Sequence, residues 1–84
     1  MAHITYFVAM PFNRNEDGEL VAGEAQDRQS AGAAENAARR MAEAAAGAVA
    51  FSRTGDPSTG EFEDAVVLRQ FGEVPSLDAL LRGE

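Results

Sequence analysis

The chain has 84 residues, no Cys, and a formal net charge of −7 from fourteen acidic and seven basic residues, the latter all Arg. This describes one small acidic domain over residues 1–84. It excludes disulfides, thiolate chemistry and Cys metal sites, and argues against nucleic-acid backbones and anionic membranes, both of which want a basic surface. No apolar run approaches the ~18 residues of a membrane span, and residues 1–12 lack the basic start and apolar stretch of a signal peptide, so a cytoplasmic protein is expected. The hydrophobic fraction of 45% is inflated by Ala. The larger apolar residues suffice for one thin core. At this length a chain buries only about 60% of its unfolded surface, so self-association is a natural way to gain stability.

Residues 3–12, HITYFVAMPF, are rich in β-branched and aromatic types and predict a strand. Ile4, Tyr6, Val8 and Met10 share one face, and Thr5, Phe7 and Ala9 the other. Apolar groups on both faces place it centrally, and Pro11 is expected to end its ladder or to sit at an edge. Residues 13–18, NRNEDG, form a turn cluster, and residues 19–26, ELVAGEAQ, a more polar return strand at an edge.

Residues 30–47, SAGAAENAARRMAEAAAG, predict the long helix of the chain. Ala and Met are strong helix formers, Ser30 is placed to cap the start, and Gly47 is placed to end the helix in a left-handed turn. Ala34, Ala37, Ala38, Met41, Ala45 and Ala48 form one apolar stripe. Glu35 with Arg39, Asn36 with Arg40, and Arg39 with Glu43 suit a solvated face. The stripe is almost wholly Ala, so the helix is expected to lie close on its neighbour while burying little area. Large core side chains must come from elsewhere.

Residues 48–53, AVAFSR, predict a short strand, residues 54–60, TGDPSTG, a turn, and residues 61–71, EFEDAVVLRQF, a return strand. Residues 72–75 break it. Residues 76–82, SLDALLR, predict a short helix capped by Ser76, with Leu77, Leu80 and Leu81 on its apolar side. The order β-β-α-β-β-α implies an α+β two-layer sandwich, an antiparallel sheet covered by the Ala-rich helix.

The sharpest local pattern is NRNEDGELVAGE, residues 13–24, which is similar to the calcium loop D-x-[DN]-x-[DN]-G-x₅-E. Asn13, Asn15, Asp17 and Glu24 would be the side-chain ligands, with Glu19 offering its carbonyl. Asn replaces Asp at the first position, and the preceding segment is β-rich. Asn, Asp and Gly are equally ordinary hairpin residues.

His3 is the lone His and reads as a terminal surface residue. Glu61, Glu63 and Asp64 read as charges guarding a sheet edge. Arg53-Thr54-Gly55 has too little specificity for an anion cradle. Arg39-Arg40 is neutralised by Glu35 and Glu43. No cofactor loop and no catalytic constellation is evident.

In order of elements, YFVAMPF followed by an acidic DG turn, a return strand and AENAARRMAEAA resembles the HicB-type antitoxin module over about the first 47 residues. The Gly-Cys region before the helix and the DNA-binding segment of that family have no counterpart here. The Arg-only, Ala-rich composition also resembles small single-domain proteins of GC-rich proteobacteria, a likeness that carries no activity. The expectation is a non-enzymatic, bacterial protein-interaction or regulatory module, with a protein partner or a homodimer and no cofactor. The alternative is a small-ligand or calcium binder using residues 13–24.

Overall fold

The computed structural model describes residues 3–75. The strand expected from residue 3 runs as β1, Ile4–Arg14, straight through Pro11. It is followed by β2 (Leu20–Ala22), β3 (Gln26–Arg28), α1 (Ala31–Ala44), β4 (Gly47–Asp56), β5 (Glu61–Phe62) and β6 (Val66–Gly72). The helix expected over residues 76–82 lies outside the described residues.

The six strands form one antiparallel sheet. β1 and β4 pair at its centre from Ile4↔Gly55 to Phe12↔Gly47. β2 and β3 share the outer side of β1, and β5 and β6 share the outer side of β4. The α+β class and antiparallel sheet therefore hold among the described residues. The simple two-strand hairpins do not, because each return strand is split in two, at residues 23–25 and at residues 63–65.

The two breaks are built alike. Gly23 N donates to Pro11 O at 2.8 Å, and Glu63 N donates to Thr54 O at 2.8 Å. This accounts for Pro11. In an antiparallel strand the N and C=O of one residue face the same neighbour. The carbonyl of Pro11 faces the β2/β3 side, so its missing N–H does too. The return strand is interrupted there, and the β1–β4 ladder needs no donor from Pro11. The edge expected over residues 19–26 is accordingly two three-residue pieces, Leu20–Ala22 and Gln26–Arg28, the second running past the expected end of the strand.

Ser30 caps α1 as expected, its Oγ accepting from Ala33 N at 3.1 Å. The end of the helix differs from expectation. Ala45 is extended (φ −129°, ψ 175°), and Gly47 lies within β4 rather than in a left-handed turn. Gly is needed at 47 for space, since a Cβ there would stand 2.0 Å from Glu73 O. Ala46 ties both neighbours to the helix end: its N donates to Phe12 O at 2.9 Å, and its O accepts from Glu73 N at 3.0 Å. Ala48, which fits both the helical stripe and the start of the strand over residues 48–53, belongs to β4. β4 also runs on past Arg53 through Thr54, Gly55 and Asp56, which were expected to lie in the turn over residues 54–60.

α1 covers one sheet face. Ala34, Ala37 and Ala38 meet Ala9, Ala48 and Ala50 in a buried cluster flanked by Phe7, Met41, Ala42, Leu68 and Phe71. Small side chains on both layers bring helix and sheet close together. Of the pairs expected on the outer helix face, Arg39 instead donates to Asn36 Oδ1 at 3.1 Å, and Glu35 reaches Arg69 at 3.6 Å.

Candidate protein-binding face

Strand alternation puts a second set of larger apolar residues on the sheet face away from α1. The helix contacts Phe7, Ala9, Ala48 and Ala50, so the cross-strand pairs Val8↔Phe51, Met10↔Val49, Tyr6↔Arg53 and Ile4↔Gly55 face the other way. Val67, opposite Phe51, joins them. Phe12 and Val49 are fully buried at one end of this second face. Tyr6, Val8, Met10, Phe51 and Val67 are half-buried, and at the far end Ile4 and Phe62 are 40% and 37% exposed. The face is thus closed at the Phe12 end and open at the Ile4 end.

The open end has a defined geometry. Phe62 lies over Gly55, where a Cβ would come within 2.4 Å of its ring. The Phe62 ring centroid is 6.0 Å from that of Tyr6, and the Arg53 guanidinium carbon is 5.5 Å from it. This is an aromatic pair with a cation stacked on one ring. The alternation of residues 4–10 was legible in the sequence. The meeting of Tyr6, Arg53 and Phe62 was not, because it depends on the register of β4 with both β1 and β5.

The hairpin register spreads the candidate calcium ligands along β1. Asn13 pairs with Val21 inside the ladder. Glu24 follows Gly23, level with the Pro11 region, whereas Asp17 sits in the turn beyond Arg14. At about 3.3 Å rise per residue, roughly 10 Å of strand separates these two levels. Asn15 Oδ1 accepts from Asp17 N at 2.9 Å and from Glu19 N at 3.0 Å, so its lone pairs serve the turn. The Arg14 guanidinium donates to Gly18 O, placing a positive charge at the loop. Gly18 takes the left-handed conformation (φ 81°) that this turn requires. Among the described residues, no group of three or more His, Cys, Asp or Glu side chains is placed to hold a metal ion.

His3 is exposed beside the start of β1. Glu61, Glu63 and Asp64 are exposed around the second break. Thr54 pairs with Thr5, their hydroxyls 2.9 Å apart, so residues 53–55 are strand rather than an anion-binding turn. Arg14 pairs with Glu73 at 3.1 Å, which raises the Arg14 pKa and lowers that of Glu73. Asp56 anchors the β4–β5 turn. Its Oδ1 accepts from Ser58 Oγ at 2.6 Å and Ser58 N at 2.9 Å, and these bonds hold its carboxyl below the ordinary Asp range. Both clusters tie neighbouring segments of the chain together.

No family model, curated protein or solved structure matches the chain.

Proposed function

We propose that the protein is a non-enzymatic interaction module that binds another protein chain through the sheet face opposite α1. The observation that carries this reading is the half-buried and exposed apolar series Ile4, Tyr6, Val8, Met10, Phe51, Phe62 and Val67 on one face. Apolar surface of this kind, bordered by polar residues, is characteristic of association surfaces. The sheet edges support strand addition less well, because both are split, at residues 23–25 and 63–65, three of their four strands are two or three residues long, and charges border them, devices that discourage pairing. The described residues contain no helix long and apolar enough to cross a membrane.

The test compares wild type with a Met10→Thr/Val67→Thr variant in affinity capture, followed by titration with each purified candidate. Val21→Ser, exposed elsewhere, serves as control. The reading expects a partner bound by wild type and the control and lost with the double variant. Partners retained equally by all three overturn it. A calcium titration of the same protein separates the other reading: amide shifts at Asp17 and Glu24 at millimolar calcium would favour an ion site.

A further inference from the structure

We infer that the open end of this second face recognises an apolar protein segment carrying a single carboxylate, with Arg53 as the group that reads the charge. The inference rests on the interaction reading above and names the chemistry of the partner.

Pairing sorts the charges at this end between the two faces. Ile4 pairs with Gly55, Tyr6 with Arg53, and Gly55 with Phe62, so Ile4, Tyr6, Arg53 and Phe62 share the second face. Glu61, opposite Asp56, lies on the other face. Glu63 is level with Thr54, to whose carbonyl its N–H donates, and lies there too. Asp27 is on the second face, opposite Val8, but it belongs to β3. Two strand spacings, about 10 Å, separate β3 from β4.

The cation left at this end has no charge partner. Arg14 and Arg69 pair with carboxylates, and Arg28 and Arg39 donate to neighbouring side-chain oxygens. Among the described residues Arg53 has neither kind of partner, and it is exposed. Arg40 shares that lack, but it stands exposed on α1 rather than in an apolar patch. The Arg53 guanidinium lies over the Phe62 ring instead.

A guanidinium is planar. Stacking on a ring uses its flat side and leaves the N–H donors along its edge, which match the two oxygens of a carboxylate. The ring also displaces water from that side, so a carboxylate docked there is attracted more strongly than at an isolated surface Arg. Tyr and Arg are among the side chains that most often anchor protein interfaces. The chain's net charge of −7 limits the partner further, because it repels a polyanion. One acid among apolar groups meets both parts of the patch: the apolar groups cover Ile4 and Phe62, and the acid meets Arg53.

Selection from a random peptide library displayed on phage, with the immobilised full chain as bait, tests this. Wild type should enrich peptides with one Asp or Glu flanked by apolar residues. Arg53→Glu should enrich Lys or Arg at that place, and Arg53→Gln should enrich neither charge. Both variants are first checked for native amide shifts, and Arg53→Gln carries the comparison if Arg53→Glu lacks them. A reversal of charge preference is something a folding defect cannot produce. For the peptide most enriched by wild type, replacing its acid by the amide should weaken binding about tenfold. That peptide should shift the amides of Ile4, Tyr6 and Phe62 most. No enrichment, an acidic preference kept by the Arg53 variants, or shifts centred elsewhere overturns the proposal. So does a wild-type dimer in sedimentation equilibrium that Arg53→Glu dissolves, which assigns the patch to a second copy. Capture lost with Met10→Thr/Val67→Thr but unchanged by Arg53→Glu leaves the broader reading standing and ends this one. Conversely, capture indifferent to Met10 and Val67 ends the broader reading even where acidic peptides bind.

Discussion

The two faces of the sheet are built from different materials. Under α1 the contact is Ala against Ala: Ala9, Ala48 and Ala50 below, Ala34, Ala37 and Ala38 above, all but Ala37 fully buried and that one nearly so. On the other side Tyr6, Val8, Met10, Phe51 and Val67 are larger and remain half-buried. Burial here does not follow side-chain size. The small residues make a dense scaffold by letting the layers approach, with Phe7, Leu68 and Phe71 at its margin, and a second set of large residues lies where no described helix covers it. The first face specifies the fold. The second is the better candidate for contact with something else.

Substitutions can break this contrast at several levels. The largest effect is expected at the closed end of the second face, where Phe12→Ala should cost about 3–5 kcal/mol in denaturant unfolding, as for other buried Phe deletions. A cost under 1 kcal/mol would mean that this end is not packed. On the helix-covered face, Ala38→Leu has no room and should cost about 1–3 kcal/mol by the same measurement. Neutrality there would show the layers to be looser than the Ala contact implies. Ser30→Ala removes the cap of α1 and should cost about 1 kcal/mol.

Asp56 predicts a pH dependence. Its folded pKa is lowered by bonds from the Ser58 side chain and amide, so the folded state favours the carboxylate. Its stabilisation is fully present above the unfolded pKa, near 3.9, and is lost as pH falls through the lower folded value. Unfolding measured from pH 6 to pH 2 should therefore show an acid loss that Asp56→Asn reduces. An unchanged acid limb would remove Asp56 from this role. The smallest effect belongs to the open end: Ile4→Thr should alter stability by no more than about 0.5 kcal/mol. A cost approaching that of Phe12→Ala would mean that the open end is core.

The elements with local causes were legible. Ser30 followed by an Ala-rich stretch makes the helix start, and the alternation of residues 4–10 makes β1 two-sided. The errors arose where a distant strand decides. Gly47 resembles a helix terminator, yet it is Gly because Glu73 passes against its backbone. Pro11 resembles a strand end, yet β1 continues because its missing donor faces the break at residues 23–25. The splits in both return strands and the Tyr6–Phe62–Arg53 cluster likewise depend on register between strands, which residue type does not reveal. The carboxylates and amides of residues 13–24 fit a calcium pattern when read in line, but pairing distributes them along a hairpin.

The central claim is that the open end of the second face is available to a partner while the helix-covered face is not. Solvent paramagnetic relaxation of methyl signals, recorded on the dilute full chain with a soluble gadolinium chelate, tests this most directly. Strong relaxation is predicted for the methyls of Ile4, intermediate relaxation for those of Met10 and Val67, and little for those of Ala9, Ala38 and Ala50. Ile4 methyls as silent as the three alanines would contradict the account, because the chain would then be covering its second face itself.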